Sequence, residues 1–487
     1  MKDMKSCCTS TCSTAETDKA TSDQQRIVLI SPYDLGRQPF ALAEPAAIFT
    51  NAHYEVECLD LSQHKLTTEI LAPASIVFIY LSMLTATRIA VEAMPRILQM
   101  APRARIAVFG WYAPVNEEFL RGLGVDAVFG GESETDMLAY AESISAADDH
   151  PSRHHKVVNL KRIDFVVPDR HSLPALDKYS QLVFPNGDRR VMGFTETTRG
   201  CKHLCRHCPV VPVYNGRFYA VPANIVLQDI RQQVAKGARH ISFGDPDFLN
   251  GPLHAQRVVE AMHEEFPWLT YDAVIKIEHL IKHPDFLPFL SDSGCILVTT
   301  AVESVDDTIL EYLDKGHSAA EFEQVVGLMK QHNIALAPTF IPFTPWTTVS
   351  NFIDLLDKIA ELKLIMSVNP VQLSLRLLIP SGSRILELPK EETCITDFNP
   401  ASLGYTWIHQ EPDVDALQEK IRTWTEQAES EGLSRLEIFN GIRRIALKAA
   451  GRDDLDVTEE QCGEPVPVHS ESWYCCAEPT EQQLASF

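Results

Sequence analysis

The feature that most limits the fold of this 487-residue chain is a regular alternation of short apolar runs with helical stretches. Such alternation is typical of parallel α/β structure. It occurs twice, and it predicts a Rossmann-like unit over residues 26–150 and a partial (β/α) barrel of the TIM type over residues 185–400. The apolar runs of the first unit are RIVLIS, VECLDL, SIVFIYLS, RIAVFG and VDAVFGG.

The second unit begins with a predicted strand from Val191 to Thr195. Catalytic groups of a parallel barrel gather at the carboxyl ends of its strands, so the residues that end each run are the candidates for chemistry. The later strands are predicted within ARHISFGDPDF, LTYDAVIKIEHL, CILVTTAVES, IALAPTFIP and VNPVQLSLRLLIPSGS.

The two ends of the chain have a different character. Residues 1–25 are polar, rich in Ser and Thr and contain cysteine, which predicts a disordered tail. Residues 401–487 begin with amphipathic helical periodicity and end in a loop-like tail that also contains cysteines. A net charge of -23 argues against nucleic acid or an anionic membrane as the main partner, and no apolar run approaches a membrane span. A small-molecule substrate and a cytoplasmic location are expected.

Three cysteines follow the first barrel strand, in the run TTRGCKHLCRHCPV. Cys201, Cys205 and Cys208 have the spacing Cys-x3-Cys-x2-Cys, which suits three thiolate ligands of one iron-sulfur cluster. No other cysteine lies within eighty residues on either side, so one iron is predicted to stay open. Zinc is the alternative, with His203 or His207 as a fourth ligand, although zinc sites commonly present Cys-x2-Cys pairs.

This segment resembles the cluster motif of the radical S-adenosylmethionine (radical SAM) superfamily. In that family the amino and carboxylate groups of SAM bind the open iron, and an electron from the cluster breaks a carbon-sulfur bond of the sulfonium. The resemblance implies a 4Fe-4S cluster, SAM as cosubstrate and an electron donor such as flavodoxin or ferredoxin.

The first unit resembles the cobalamin-binding domain that precedes the barrel in one branch of the superfamily. The resemblance lies in Ser82-Met83-Leu84-Thr85 and Phe109-Gly110, each after a strand, and in the closing VDAVFGGESE. The cobalt-ligating Asp-x-His-x-x-Gly signature is absent, and His64 lacks both the spacing and the glycine. The sequence therefore does not decide whether cobalamin is a further cofactor, and His64 is expected at the surface.

Polar residues at the predicted strand ends match cofactor contacts of the family. Asp245, in Gly244-Asp245-Pro246-Asp247, stands where the family has a Gly-Gly-Glu element that holds the ammonium of SAM; a turn is the alternative. Glu303 and Ser304 follow the pattern that approaches the ribose or methionine end, with helix capping as the alternative for Ser304. Arg376 is expected to pair with a carboxylate of cofactor or substrate.

The chain ends in SWYCCAEPTEQQLASF, with Cys475 and Cys476 side by side. This end resembles the tail that names the CUAEP/CCAEP-tail radical SAM enzymes, some of which carry selenocysteine at the second position. Neighbouring thiols form a disulfide only with strain, and they better suit a soft ion or redox exchange. Further thiols that could bind trivalent arsenic, which prefers three sulfur ligands, are Cys7, Cys8, Cys12 and Cys462.

Among enzymes of this architecture, the chain most resembles the radical SAM enzyme of arsinothricin biosynthesis. The resemblance implies transfer of the 3-amino-3-carboxypropyl group of SAM to arsenite, giving the carbon-arsenic bond of hydroxyarsinothricin. Cys475 and Cys476 are then expected to carry arsenite toward the cluster. One alternative is a cobalamin-dependent radical SAM methyltransferase or rearrangement enzyme acting on a small molecule. The other is a thiol-based metalloid-binding protein without turnover.

Overall fold

A computed structural model describes residues 25–145, 156–453, 455–471 and 479–484. No helix in these ranges is both long and apolar enough to cross a membrane.

The apolar runs of the first unit form a six-stranded parallel sheet, in the order β2-β1-β3-β4-β5-β6. Helices cover both faces, which explains why the central strands are nearly all apolar. The strand order reverses between β1 and β3, and such a reversal opens a crevice at the carboxyl ends of the strands. The strands are β1 (Arg26–Ser31), β2 (Glu55–Asp60), β3 (Ile76–Tyr80), β4 (Arg105–Phe109), β5 (Ala127–Gly131) and β6 (Val158–Asn159), and the helices are α1 (Phe40–Asn51), α2 (Thr68–Leu71), α3 (Leu84–Met100), α4 (Tyr112–Val115), α5 (Glu117–Gly122) and α6 (Glu134–Ser145).

The second unit is built on a seven-stranded sheet in the order β14-β13-β12-β11-β8-β7-β17. Its strands from β14 to β8 are parallel, and β7 and β17 extend the β8 edge in antiparallel fashion. Both the Rossmann-like sheet and the partial barrel are as predicted. The strands of this part are β7 (Gln181–Val183), β8 (Arg189–Thr195), β9 (Thr198–Gly200), β10 (Phe218–Ala220), β11 (His240–Phe243), β12 (Thr270–Val274), β13 (Cys295–Glu303), β14 (Ala335–Phe340), β15 (Ile395–Asn399), β16 (Gly404–Trp407) and β17 (Val468–His469).

Helices cover the outer face of the barrel and bury its main apolar core. Those of the barrel are α7 (Val211–Tyr214), α8 (Ala223–Ala235), α9 (Pro252–Glu265), α10 (Ile277–Lys282), α11 (Phe286–Asp292), α12 (Asp307–Leu313), α13 (Ala319–Gln331) and α14 (Val349–Glu361). After the barrel come α15 (Lys390–Thr393), the predicted amphipathic helices α16 (Pro412–Ser430) and α17 (Arg435–Ala449), and α18 (Glu481–Leu484). Short 3-10 turns occupy Leu176–Lys178, Phe248–Asn250, Pro370–Leu373, Arg384–Glu387 and Glu459–Gln461.

The last predicted barrel strand, in VNPVQLSLRLLIPSGS, is not a strand in the structure. Asn369 caps a 3-10 turn by accepting a hydrogen bond from the backbone N–H of Val371 over 3.2 Å. Proline at the first position of this turn removes a backbone donor, which also disfavours a ladder. A single parallel bridge between Phe343 and Arg376 takes the place of the sixth strand.

Candidate cofactor and substrate site

The cysteine loop, residues 201–208, follows β8 and the short strand β9. Gly200 leads into it with φ of +73°, and a Cβ there would lie 2.4 Å from Cδ1 of Tyr214. Only glycine fits this entry. Farther along the loop, the backbone N–H of Arg206 donates to the Leu313 carbonyl over 2.9 Å, and its guanidinium donates to two more carbonyls of α12. The loop is therefore fixed at both ends.

Two lysines face the thiols of the cysteine loop. Nζ of Lys276 lies 3.7 Å from Sγ of Cys205. Burial lowers the pKa of Lys315, but the charges of Glu303, Cys205 and Cys208 raise it overall. Burial also raises the pKa of the Cys208 thiol to about 11, so a thiolate here needs a positive neighbour. Three thiols with two ammonium groups beside them fit an anionic, thiolate-bound iron-sulfur cluster.

A cavity of about 320 Å³ lies where the carboxyl ends of the two sheets face each other. The first sheet contributes residues that follow β1, β3 and β4, and the second contributes the ends of β8 and of β11 to β14. His207 and Cys208 bring the cysteine loop into the same wall. Ligands of α/β folds bind at such strand ends. The charged residues of the wall are Asp34, Arg37, Glu196, Asp245, Glu303 and Arg376.

Glu303 ends β13 with φ of +70°, an uncommon conformation for a residue other than glycine. Its Oε1 lies 3.1 Å from Nε2 of His207 and 3.3 Å from Nζ of Lys315. Burial acts to raise the pKa of Glu303, but the charge of Lys315 and the contact with His207 lower it to about 2. Glu303 is therefore an ionised carboxylate in the wall of the cavity, next to the cysteine loop.

Asp245 follows β11, and its carboxylate already has three hydrogen bonds. Oδ1 accepts from the hydroxyls of Thr197 and Thr198, both at 2.6 Å, and Oδ2 accepts from the Thr197 backbone N–H at 2.9 Å. Burial raises the pKa of Asp245 to about 6, although these hydrogen bonds act to lower it. The residue lines the cavity and also joins β11 to the segment that leads into the cysteine loop.

Ser304 and Arg376 have protein partners. Oγ of Ser304 accepts from the backbone N–H of Asp306 at 3.1 Å, and Asp306 itself caps α12. Arg376 donates from Nη1 to Asp415 and from Nη2 to the Trp407 carbonyl, each over 2.6 Å. Its guanidinium also lies 3.5 Å from the centre of the Trp407 ring, a cation-π contact. Arg376 lines the cavity, and its charge is already paired with Asp415; its predicted pairing with a carboxylate of cofactor or substrate stays a prediction.

The thiols proposed for arsenite are only partly within the described residues. Cys462 is buried, and its Sγ donates to the Thr458 carbonyl over 3.7 Å. It is not among the residues that line the cavity. The remaining predicted arsenite thiols lie outside the described residues: Cys7, Cys8, Cys12, Cys475 and Cys476.

The base of the cysteine loop is joined to the first sheet through Arg199. Its guanidinium pairs with Glu44 and lies 2.6 Å from Oε1 of Glu134, both in helices of the first unit. Glu132 at 3.6 Å and Glu196 at 3.8 Å complete a cluster of four carboxylates around one cation. Burial raises the pKa of Glu132 to about 7, although the hydrogen bond from Tyr214 acts to lower it. The cluster connects the two sheets beside the cavity.

Sequence reasoning missed Lys276 and Lys315. They lie 68 and 107 residues after Cys208 along the chain, so no local spacing connects them to the cysteines. The one available signal was that Lys276 follows the end of strand β12, whereas Lys315 lies farther along, after helix α12. Their role in balancing charge is visible only when the fold brings both lysines to the cysteine loop.

Part of the chain is similar in sequence to a known protein family. Residues 195–359 match the model of the radical SAM superfamily. The tRNA-2-methylthio-N(6)-dimethylallyladenosine synthase of Histophilus somni is 24% identical over 207 residues, covering 40% of this chain and 43% of that protein. The bacteriochlorophyllide d C-12(1)-methyltransferase of Chlorobaculum tepidum is 27% identical over 195 residues, covering 38% and 40%. The matched region thus spans about two fifths of each relative.

Solved structures resemble the chain over a larger part of its length. The radical S-adenosylmethionine methyltransferase TsrM from Kitasatospora setae, with cobalamin and a 4Fe-4S cluster bound, matches with a TM-score of 0.58 and 16% identity, covering 76% of this chain and 75% of that one. The cobalamin-dependent S-adenosylmethionine radical enzyme OxsB, with aqua-cobalamin bound, matches with a TM-score of 0.65 and 13% identity, covering 83% and 67%. At this identity the likeness concerns the fold.

The family match begins at the last residue of β8 and includes all three cysteines of the loop. This part of the chain matches the radical SAM superfamily, whose members use a 4Fe-4S cluster and SAM. The match and the donor set of the loop agree on the cluster, and the sheet that precedes the domain has the arrangement of cobalamin-binding radical SAM enzymes.

Proposed function

We propose that this chain is a radical SAM enzyme that transfers the 3-amino-3-carboxypropyl group of SAM to arsenite, forming hydroxyarsinothricin. The radical SAM part of the proposal rests on one observation: the loop that contains the three thiols is fixed at both ends and borders, through Cys208, a cavity at the strand ends. The arsenic part rests on the resemblance of the sequence to CUAEP/CCAEP-tail enzymes.

Cys201, Cys205 and Cys208 hold the cluster in this proposal, with Lys276 and Lys315 offsetting its charge. When bound, the cluster would supply the electron needed to break a carbon-sulfur bond of SAM. The residues of the chain position SAM and keep water away from it. The cavity lies between the two sheets, and most of its wall is apolar, which limits the access of water to a reactive carbon centre.

Glu303 is proposed to orient SAM. Its Oε1 has both protein contacts, from His207 and Lys315, which leaves Oε2 as an acceptor for a hydroxyl or ammonium of the cofactor. Because its pKa is held near 2, the group stays an acceptor over the whole neutral range. Asp245 and Arg376 are proposed to act at the same wall. Each has a fixed geometry from its protein partners and a remaining lone pair or N–H for a ligand.

The proposed transfer balances in atoms and electrons. The bond between the sulfonium sulfur and the aminocarboxypropyl carbon breaks, a carbon-arsenic bond forms, and methylthioadenosine leaves. Arsenic passes from the trivalent to the pentavalent state while the sulfonium becomes a thioether, so the reaction is redox-neutral overall and one proton is released. The initiating electron comes from a donor such as flavodoxin or ferredoxin, and one electron is given back when the arsenic radical formed by addition of the carbon radical is oxidised to the pentavalent state. Cys475 and Cys476 are proposed to deliver arsenite, with Cys7, Cys8, Cys12 and Cys462 as further thiols.

A second candidate function is that of a cobalamin-dependent radical SAM enzyme. The observation in its favour is the likeness in fold to TsrM and OxsB, whose structures contain cobalamin, together with a cavity between the corresponding sheets. His64 is half-buried, accepts a hydrogen bond from the Asp60 backbone N–H, and does not line the cavity. A cobalamin in this chain is therefore proposed to bind without a ligand from His64.

Product analysis separates the two candidates. The reconstituted, reduced protein is incubated with arsenite and SAM labelled with carbon-13 in its methionine part, and the products are identified by mass spectrometry. The first proposal predicts methylthioadenosine and an arsenic-containing amino acid that carries the label. S-Adenosylhomocysteine or 5'-deoxyadenosine, without a labelled arsenic compound, would overturn it. A red-shifted absorbance after addition of hydroxocobalamin would support the second candidate.

The tail thiols are tested by a matched pair of variants. Cys475→Ser with Cys476→Ser is expected to keep the brown cluster absorbance and to lose arsenic product at low arsenite concentration. Cys394→Ser serves as the control, because Cys394 lies apart from both the cluster loop and the tail. Loss of the cluster in the tail variant would show that the thiols are wrongly assigned.

A further inference from the structure

A second group of metal-ligand side chains lies beside the cysteine loop and is not used by the proposed reaction. It consists of His203 in the loop, Asp247 after β11 and His279 in α10. One donor atom from each residue lies within 4.8 Å of the other two. Asp247 and His279 are almost fully buried. The three residues are far apart in the sequence, and the fold brings them together from three different elements.

The donor atoms in this group are close together, and two of them lack a hydrogen-bonded partner, whereas Nε2 of His203 lies 3.2 Å from Nε2 of His279. Oδ2 of Asp247 lies 2.8 Å from Nδ1 of His279 and 3.3 Å from Nε2 of His203. Oδ2 of Asp247 and Nδ1 of His279 are both buried, and neither has a partner with hydrogen-bond geometry among the residues that the structure describes. Buried polar atoms ordinarily have such partners. Atoms that point into a shared space instead suit a common ligand.

A second histidine-aspartate group in the same barrel provides the contrast. His240 and His469 both contact Oδ2 of Asp272, at 2.8 and 3.0 Å. The other ring nitrogen of His240 lies 2.8 Å from Thr270 Oγ1, and the other oxygen of Asp272 accepts from Ser242 at 3.0 Å. That group is satisfied by hydrogen bonds alone and has the character of a structural network.

The group around Asp247 also has partners that orient its donors. Nδ1 of His203 lies 3.5 Å from Oε2 of Glu278, which directs the opposite nitrogen, Nε2, toward Asp247. Oδ1 of Asp247 accepts from the backbone N–H of Leu249 at 3.3 Å and of Lys276 at 3.5 Å, which leaves Oδ2 for a ligand. A carboxylate behind a ligating histidine is the usual outer support of a metal site.

We propose that His203, Asp247 and His279 form a binding site for a divalent first-row transition ion, distinct from the cysteine loop. Two imidazoles and one carboxylate suit zinc or ferrous iron and leave positions open, whereas magnesium and calcium prefer oxygen ligands. Lys276 connects the two centres, since its Nζ lies 3.4 Å from Glu278 and 3.7 Å from Cys205. The proposal is independent of the substrate of the enzyme.

Zinc is the probe, because it is counted separately from cluster iron. The full-length protein, with its cluster reconstituted, is incubated with zinc, desalted and analysed for both metals. The wild type is expected to keep about one zinc per chain with its cluster iron unchanged. Asp247→Asn and His279→Gln are expected to lose that zinc. Asp272→Asn, in the hydrogen-bonded group, and His283→Gln, one turn along from His279, are the matched controls and should keep it.

Two further measurements keep the test decisive if a ligand variant fails to fold. Glu278→Gln removes only the outer support and is expected to weaken zinc binding about 10–100-fold. Cobalt(II) bound to the wild type is expected to show ligand-field bands without thiolate-to-cobalt charge transfer. The proposal is overturned if the wild type keeps no zinc, if zinc displaces cluster iron, if Asp247→Asn keeps the zinc, or if cobalt shows thiolate ligation.

Discussion

Arg170 provides the sharpest stability prediction, because it is a buried arginine at the junction of the two sheets. Its Nε and Nη2 donate to the two oxygens of Asp229 over 2.7 and 2.9 Å, in a bidentate pair that is almost completely buried. Nη1 donates to Gln38 over 2.6 Å, and Nη2 also donates to the Phe194 carbonyl over 2.7 Å. Arg170 lies between β6 and β7, and its guanidinium thus joins this part of the chain to the segment after β1, to strand β8 and to helix α8.

Replacing Arg170 with Met removes the cation and leaves Asp229 buried without its main partner. Breaking a buried pair in this way costs about 3–5 kcal/mol, because the remaining charge is uncompensated. At about 2–4 °C per kcal/mol for a domain of 150–250 residues, the melting temperature is expected to fall by at least about 6 °C. Arg170→Met combined with Asp229→Leu removes both charges and is expected to recover most of the loss.

Differential scanning calorimetry at one fixed scan rate compares these variants. The control is Arg231→Met, which removes an equally bidentate arginine from the same helix α8, where the pair with Glu265 is exposed to solvent. That control is expected to leave the melting temperature unchanged, since exposed pairs add little stability. A melting temperature of Arg170→Met within 2 °C of the wild type, or a double variant no better than the single one, would refute the reasoning.

Three further predictions concern the cysteine loop and the base of the barrel. Cys205→Ser is expected to abolish cluster absorbance while circular dichroism stays unchanged; retained absorbance would contradict the ligand assignment. Gly200→Ala is expected to lower cluster loading severely, because its Cβ would meet the Tyr214 ring, and normal loading would contradict this. Burial acts to raise the pKa of Asp272, but His469 and His240 lower it well below the ordinary range. The stability that Asp272 contributes is therefore present above about pH 4 and falls below it. Asp272→Asn is expected to be less stable at pH 7 and to show a shallower loss in acid urea titrations, and an unchanged acid slope would contradict this.

The two sheets could be predicted because buried parallel strands are nearly continuous apolar runs that recur at regular intervals. The runs around Ile27–Ile30 and Ile76–Ile79, for example, become the centre of the first sheet, with every side chain fully buried. The antiparallel extension by β7 and β17 could not be predicted, since β17 is only two residues long and pairs with a strand nearly 290 positions earlier. The prediction of a sixth barrel strand was wrong, because Asn369 caps a 3-10 turn within the apolar run that was taken for a strand.

The site was predictable where its chemistry is local. The three cysteines lie within eight residues of one another. Glu303 and Asp245 lie at the ends of strands that the alternating apolar pattern predicts. Lys276 and Lys315 were not predictable, because a lysine in a sequence gives no sign that it will be buried against a thiol. Their placement follows from the parallel sheet, which gathers residues far apart in the chain at one edge.

We propose that the chain cleaves SAM with a cluster held by Cys201, Cys205 and Cys208. The most direct measurement is the fate of SAM after incubation with the reconstituted, chemically reduced protein, followed by chromatography and mass spectrometry. The wild type is expected to give an adenosine-containing cleavage product, which is methylthioadenosine when arsenite is present, and Cys205→Ser is expected to leave SAM intact. A wild-type protein that holds about four irons per chain in a reduced cluster, and still leaves SAM intact, would contradict the proposal.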